Sequence, residues 1–238
     1  MLDFASVSVR GKSETMRDSL QITEESHCTM FAVADGKMLP DTAELVLKTM
    51  AEDFKQTNKV TTATLPAIFE DAQQKLTVFQ QETMLKGGCA AAVMLTDGEL
   101  ALWAHIGDCR IYHLQDRMLY EITPDHSTAY TRYEAGEIRY PKIRTDRNRH
   151  ELYRMMGLEQ EFAPKFSQPT VVKKNDRFLV CTDGFWEHIH ERQIEKTLRR
   201  SKNAKDWLKR LQKIVEKNRK NGKYTRTLDD YSVITIQI

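Results

Sequence analysis

Four aspartates lie beside apolar runs that have the composition of buried strands. Asp35 and Asp183 end the runs FAVADG and FLVCTDG, Asp108 lies in AHIGDCRIY, and Asp229 directly precedes the last run in TLDDYSVITIQI. Each alone is compatible with a turn, because Asp bonds to its own backbone there. Several acids that converge without His or Cys partners form a hard-oxygen site suited to Mg²⁺ or Mn²⁺. The spacing therefore predicts a divalent-metal site of undefined chemistry.

The Asp-Gly pairs differ in context. Asp97-Gly98 separates two strand-like runs and is typical of a tight hairpin, which is a structural role. Asp35-Gly36 and Asp183-Gly184 instead lead into helix-like or loop segments, where a glycine lets a backbone carbonyl approach a ligand closely.

The elements that must position these acids follow from hydrophobic periodicity. Helices are predicted at 41–54, following Pro40, and at 64–86, with Thr64 as the cap and Gly87-Gly88 as the stop. Strands are predicted at 5–9, 29–34, 90–95, 99–106, 110–114, 178–181 and 232–238. Strands and helices do not alternate, so we expect a mostly antiparallel α+β fold with two long helices on a sheet.

Composition excludes several classes of protein. The chain has 238 residues, 40% of them hydrophobic, which is enough for a core without disulfides. No run approaches the ~20 apolar residues of a spanning helix, and the first residues carry an acid where a signal peptide would be basic. The four cysteines are scattered, so we expect reduced thiols and a cytoplasmic protein.

Positive charge is concentrated near the end of the chain. Segment 192–226 has 14 Lys and Arg against 3 acids, although the whole chain carries only +2. Within it, residues 204–220 follow a helical period whose apolar face contains Trp207 and Leu211. The segment is either a packed helix with a solvated basic face or a docking surface for an acidic or phosphorylated partner. Nucleic acid is not expected, because no aromatic residues are interleaved with the charges.

Taken in chain order, six motifs resemble those of the metal-dependent protein serine/threonine phosphatases, protein phosphatase type 2C. They are FAVADG, the Gly87–Leu114 stretch with Gly107-Asp108-Cys109-Arg110, EITPDHS, ELYRMMGL, FLVCTDGFWEHI and LDDYSVITI. Single motifs of this kind are weak, but six in order over most of the chain are specific.

The resemblance implies one domain over 1–238, built as a four-layer α-β-β-α sandwich of two mostly antiparallel sheets flanked by helices. It implies that Asp35 bridges two Mg²⁺ or Mn²⁺ ions and is catalytic together with Asp183. The residues implied to hold metal are Asp18, Asp35, Gly36, Asp108, Asp183 and Asp229, with Asp108 serving a third, weaker ion. The implied reaction is direct hydrolysis of phosphoserine or phosphothreonine in a protein, without a phosphoenzyme.

The chain departs from the family pattern at two places. Asp18 fits the end of the N-terminal motif, but Met16 and Arg17 occupy the positions of Asn-Glu, where a ligand of the second ion is expected, and Ser13 replaces the phosphate-binding Arg. Lys37 follows Asp35-Gly36 in place of a flexible glycine-rich loop. Two cations are thus expected beside the metals, and Arg17 and Lys37 become candidates for binding the substrate phosphate.

Two functions remain open at this point. One is an active phosphatase acting on the product of a serine/threonine kinase, with two or three ions and an altered second metal site. The other is a catalytically impaired phosphatase fold that serves as a binding or regulatory module. A polar excursion at about 130–164 corresponds to the family's flap. Its arginines, among them Arg144, Arg147 and Arg149, either select phosphosubstrates by charge or belong to a solvated, mobile loop.

Overall fold

A computed structural model describes residues 2–39, 41–158, 160, 162–225 and 228–238, so the predictions that involve Pro40, Glu159, Glu161 and Arg226 lie outside the described residues at those positions. The strands are β1 Asp3–Val9, β2 Asp18–Glu25, β3 Cys28–Lys37, β4 Gly88–Thr96, β5 Leu100–Ile106, β6 Arg110–Gln115, β7 Met118–Ile122, β8 Lys165–Phe166, β9 Thr170–Val171, β10 Arg177–Cys181 and β11 Tyr231–Gln237. The helices are α1 Asp41–Thr57, α2 Thr64–Thr83, α3 Thr128–Glu134, α4 Asp183–Trp186, α5 Glu191–Leu198 and α6 Ala204–Lys220, with a 3-10 turn at Tyr140–Thr145.

Two antiparallel sheets form the centre of the fold. One has the strand order β1-β11-β10-β6-β7, and the other has the order β2-β3-β4-β5-β8 with β9 also paired to β5. Apolar side chains such as Phe31, Trp103 and Phe178 fill the space between the sheets. The strands that supply this core carry apolar residues on both faces, because each sheet is also covered on its outer side.

Helices cover both outer faces. One outer core packs α1 and α2 on the β3–β4 sheet through residues such as Phe54 and Phe69. The other packs α5 and α6 on the β10–β11 sheet through residues such as Trp207 and Leu211. The layers are therefore α-β-β-α, which confirms the predicted fold class.

The predicted end of α2 is wrong. The helix ends at Thr83, and Met84 adopts a left-handed conformation with φ of 56°. Gly88 does not stop the helix but begins β4, where a Cβ atom would lie 2.2 Å from the carbonyl oxygen of Met156. Thr64 is likewise not the cap: it is the first helical residue, and its hydroxyl donates to the carbonyl of Lys59.

The basic helix has the predicted bounds, Ala204–Lys220, and its side chains Trp207, Leu208, Leu211 and Val215 are buried. Asn203 caps it by accepting a hydrogen bond from the backbone N–H of Asp206. Within the described residues, none of the helices combines the length and apolarity required to cross a membrane.

Candidate metal centre

Strand register places two of the predicted acids face to face. In the β2–β3 ladder Asp18 lies directly opposite Asp35. Both carboxylates are buried, with 8% and 5% of the residue exposed. Asp18 accepts a hydrogen bond of 2.7 Å from the hydroxyl of Thr182, which belongs to the other sheet. Strand β2, which the sequence patterns did not predict, is therefore part of the site.

The neighbouring sheet brings two more acids to the same region. Cys181 pairs with Arg110 in the antiparallel β6–β10 ladder. Asp183 follows Cys181 by two residues and Asp108 precedes Arg110 by two, so both acids extend from the same end of this ladder. Asp108 and Asp183 are each 1% exposed.

Asp108 and Asp183 form the tightest cluster with a residue that the sequence did not predict. One ligand atom from each of Asp108, His150 and Asp183 lies within 4.8 Å of the others. His150 Nδ1 is 3.5 Å from Asp183 Oδ2. Asp35 and Asp229 are not members of this group, nor does any second group of this kind occur in the described ranges. His150 comes from the polar excursion, whose irregular sequence offers no periodic signal for its position.

This cluster fits a divalent cation. Asp108 Oδ1 and Asp183 Oδ1 are buried and accept no hydrogen bond from the described part of the chain. Asp183 Oδ2 has Lys37 Nζ and His150 Nδ1 each at 3.5 Å, beyond the usual length of a hydrogen bond. Orphaned buried carboxylate oxygens are strongly unfavourable, and a divalent ion bound by carboxylates and an imidazole would satisfy them.

Lys37 brings a positive charge into the same cluster. Its ammonium group donates to Asp35 Oδ2 and lies 3.5 Å from Asp183 Oδ2. The Lys37 side chain is 24% exposed, whereas those of its two partners are 8% and 2% exposed. The Lys37 ammonium group is therefore already paired with carboxylates. Its predicted role in substrate binding stays a prediction.

The pKa values show how these charges oppose one another. Burial raises the pKa of Asp35 to about 8 and that of Asp108 to about 6. Burial also opposes ionisation of Asp183, but Lys37 and His150 hold its pKa below the ordinary value. Burial disfavours the charged form of Lys37, yet Asp108, Asp183 and Asp35 together keep its pKa above the ordinary value. Lys37 is thus a cation at neutral pH.

The N-terminal loop that contains Arg17 lies against the segment that carries Asp229, another predicted metal ligand. Asp229 is half-buried, and burial and the charge of Asp183 raise its pKa, whereas Lys37 and Arg17 act in the opposite sense. Its neighbour Asp230 accepts backbone N–H groups of Gly11 and Arg17, each at 2.6 Å. The Arg17 backbone is therefore held beside Asp230, and the role of the Arg17 side chain in binding phosphate stays a prediction.

Two glycines, Gly184 and Gly36, allow neighbouring backbone carbonyls to pack closely beside Asp183 and Asp35. A Cβ atom at Gly184 would lie 2.0 Å from the carbonyl oxygen of Asp230. At Gly36 it would lie 2.9 Å from the carbonyl oxygen of Arg17, to which the Gly36 N–H donates at 3.0 Å. The role of the Gly36 carbonyl as a metal ligand stays a prediction.

A buried ion pair is connected to the backbone of Asp108 through Trp186. Arg110 donates to both oxygens of Asp125, each at 2.6 Å. The Arg110 guanidinium stacks on Trp186 with its Cζ atom 3.4 Å from the ring centroid. The indole N–H of Trp186 in turn donates to the backbone carbonyl of Asp108 at 2.9 Å. The motifs contained these residues, but motif matching did not show that they form one connected support.

The predicted role of Arg144 in substrate selection is wrong. Its side chain is only 2% exposed and forms a salt bridge with Glu191 at 2.8 Å. Arg144 also donates to the backbone carbonyls of Trp186 and Ile189. It therefore joins the excursion to the segment after α4, and a count of arginines could not distinguish this buried cation from exposed ones such as Arg147.

Comparisons with known proteins agree with this fold. The serine/threonine phosphatase stp of Listeria monocytogenes is 23% identical over 166 residues, which are 66% of this chain and 65% of that protein. The chain thus spans slightly less than two thirds of the length of this curated relative.

Solved structures resemble the whole chain. Stp1 from Staphylococcus aureus, described as a serine/threonine phosphatase, superposes with a TM-score of 0.88 at 19% identity, covering 100% of this chain and 95% of Stp1. The catalytic domain of the phosphatase PstP in complex with two manganese ions gives 0.81 at 21% identity, covering 99% and 97%. At these identities the likeness shows the fold. The family model described as Protein phosphatase 2C matches residues 7–230, and the chain therefore belongs to the protein phosphatase 2C family.

Proposed function

We propose that this protein hydrolyses phosphoserine and phosphothreonine esters of proteins, using Mg²⁺ or Mn²⁺ bound at the aspartate cluster. The observation that carries the proposal is that buried carboxylate oxygens of Asp108 and Asp183 have no hydrogen-bond donor among the described residues. The manganese ions in the PstP structure support the choice of metal.

The residues proposed to hold metal are Asp108, Asp183 and His150, with Asp35, Asp18 and Asp229 close by. A bound divalent ion supplies an activated water for attack on phosphorus and offsets charge on the phosphoryl oxygens. Arg17, which is partly buried in the N-terminal loop, is proposed to attract the incoming phosphate. The proposed substrates are therefore phosphorylated proteins of the kind that a serine/threonine kinase produces.

The test is the hydrolysis of a phosphothreonine peptide with Mn²⁺ by the native protein and by Asp183→Asn. Substitution of outer-shell partners already lowers activity by about 10–100-fold, so loss of a direct ligand is expected to reduce kcat at least about 100-fold. Asp97→Asn is the matched control, since Asp97 precedes a glycine in the β4–β5 turn and accepts hydrogen bonds from the backbone N–H groups of Glu99 and Leu100. Equal rates for the native protein and Asp183→Asn would refute the proposal.

A direct attack by water also predicts that no phosphate stays attached to the protein. Acid quenching during turnover of a ³²P-labelled phosphopeptide should therefore leave the protein unlabelled, whereas stoichiometric label would contradict direct hydrolysis.

A second function is favoured by the two cationic side chains at the site. Lys37 contacts Asp35, and the charge of Arg17 acts on Asp229, as expected for a cluster that keeps the fold without catalysis. In that case the protein would be a binding module. A calorimetric titration in which the protein takes up no Mn²⁺ would favour the binding module.

A further inference from the structure

Lys37 occupies a position that is set by the strand itself. Asp35 and Lys37 both belong to β3, which runs to Lys37. Because side chains two residues apart share one face of a strand, the ammonium group is directed to the same side as the Asp35 carboxylate. The backbone therefore fixes the face of the strand from which the Lys37 side chain extends.

The surroundings of Lys37 are not those of a surface ion pair. The Asp35 side chain is 8% exposed and that of Asp183 is 2% exposed. Burying charges is unfavourable unless opposite charges compensate them. The ammonium group is thus the charge that the described structure provides to compensate these two carboxylates in common.

The charge of Lys37 reduces the number of divalent ions that fit at the site. Its ammonium group contacts Asp35 and lies 3.5 Å from Asp183, so it supplies a positive charge between these two carboxylates. A second divalent ion between Asp35 and Asp183 would meet the ammonium group that lies 3.5 Å from Asp183.

We propose that Lys37 is the resident cation of the site: it takes the place of one divalent ion between Asp35 and Asp183, so that the chain binds a single divalent ion on the side of Asp108, His150 and Asp183. The inference rests on the proposed function in one respect: both require that the site binds a divalent metal ion.

The first test counts Mn²⁺ ions by equilibrium dialysis, with free Mn²⁺ followed by electron paramagnetic resonance. The native protein is expected to bind one ion per chain, and Lys37→Gln is expected to bind a second. Removing a like charge close to the ion should strengthen Mn²⁺ binding by at least about tenfold. Lys174→Gln removes the same charge from an exposed turn before β10 and should change Mn²⁺ affinity less than about twofold.

The second test uses the native protein alone, so it stays decisive even if Lys37→Gln does not fold. The rate at which an acetylating reagent modifies Lys37 is measured by mass spectrometry, with and without saturating Mn²⁺. We expect Lys37 to react at least about tenfold more slowly than exposed Lys174 in both conditions, because an ammonium group held by carboxylates has little free amine.

Either of two results would overturn the inference. The native protein could bind two Mn²⁺ ions, or saturating Mn²⁺ could raise the reactivity of Lys37 to that of Lys174, which would show displacement of the ammonium group. Neither measurement uses phosphoester hydrolysis, so an inactive protein that binds one Mn²⁺ ion would refute the proposed function and leave the role of Lys37 intact.

Discussion

Replacing Asp125 by Asn should destabilise the protein severely, because it breaks the ion pair behind the metal centre. The side chains of Arg110 and Asp125 are 2% and 1% exposed, and both of their hydrogen bonds measure 2.6 Å. Removing one partner of such a pair costs about 3–5 kcal/mol, since the remaining charge stays buried. Asn keeps one acceptor oxygen, which places the expected loss near the lower limit, about 3 kcal/mol.

Thermal and urea unfolding monitored by circular dichroism measure this loss. For a chain of this size each kcal/mol lowers Tm by about 2–4 °C, so Asp125→Asn should melt about 6–12 °C below the native protein. Glu137→Gln is the control, because Glu137 pairs with Arg132 at the surface, where its own side chain is 57% exposed. That substitution should change the free energy of unfolding by less than about 1 kcal/mol.

A double-mutant cycle shows whether the loss comes from the pair itself. Arg110 also donates to the hydroxyl of Tyr112 at 3.2 Å, so Arg110→Met alone removes more than the contact with Asp125. If the buried charges cause the instability, the double variant should lose at least about 2 kcal/mol less than the sum of the two single variants. Additive losses, or an Asp125→Asn loss below about 1 kcal/mol, would refute the reasoning.

The remaining predictions concern the excursion and the pH dependence of stability. Arg144→Ala should lower the free energy of unfolding by about 3 kcal/mol, because it leaves buried carbonyls unpaired. Arg147→Ala at the surface should change the free energy of unfolding by less than about 0.5 kcal/mol. Similar losses for the two variants in urea unfolding would contradict the burial of Arg144. Burial lowers the pKa of His105 to about 4 and that of His126 to about 3, so the unfolded chain binds more protons and stability falls as pH drops below about 6.5. At about 1.4 kcal/mol per pKa unit, the free energy of unfolding of the native protein should fall between pH 7 and pH 5.5 by about 2 kcal/mol more than that of a His105→Gln/His126→Asn variant. Parallel plots of unfolding free energy against pH for the two proteins would show that these histidines do not titrate as the structure requires.

The continuous apolar strands could be predicted because their sequences carry the signal of burial on both faces. Strand β4 has nine buried residues in succession, so its run of apolar and small residues predicts a buried strand directly. Strands β2 and β7 lie at the edges of their sheets and contain polar residues such as Gln21 and Glu121. Edge strands are half-solvated, so their composition resembles that of loops, and both were missed.

The metal centre was only partly predictable for a different reason. A strand that ends in Asp-Gly can be recognised locally, as at Asp35 and Asp183, but His150 reaches the site through contacts distant in sequence. The hydrogen bond from the Tyr153 N–H to the carbonyl of His126 and the bridge between Leu152 and Ser127 hold its segment beside the β5–β6 turn. No local pattern encodes such pairings, because each joins residues about 25 positions apart.

Lys37 is the opposite case, since its position was available in the sequence once the end of β3 was known. The run was predicted to end as a strand at residue 34, which left Lys37 in a loop and free to face a substrate. The strand instead continues to Lys37 because β4 pairs with it as far as Gly88. Three further residues of pairing convert a loop lysine into a side chain fixed on the same face as Asp35. The charge of the metal centre, and with it the number of divalent ions we expect there, is therefore decided by where one β-ladder ends.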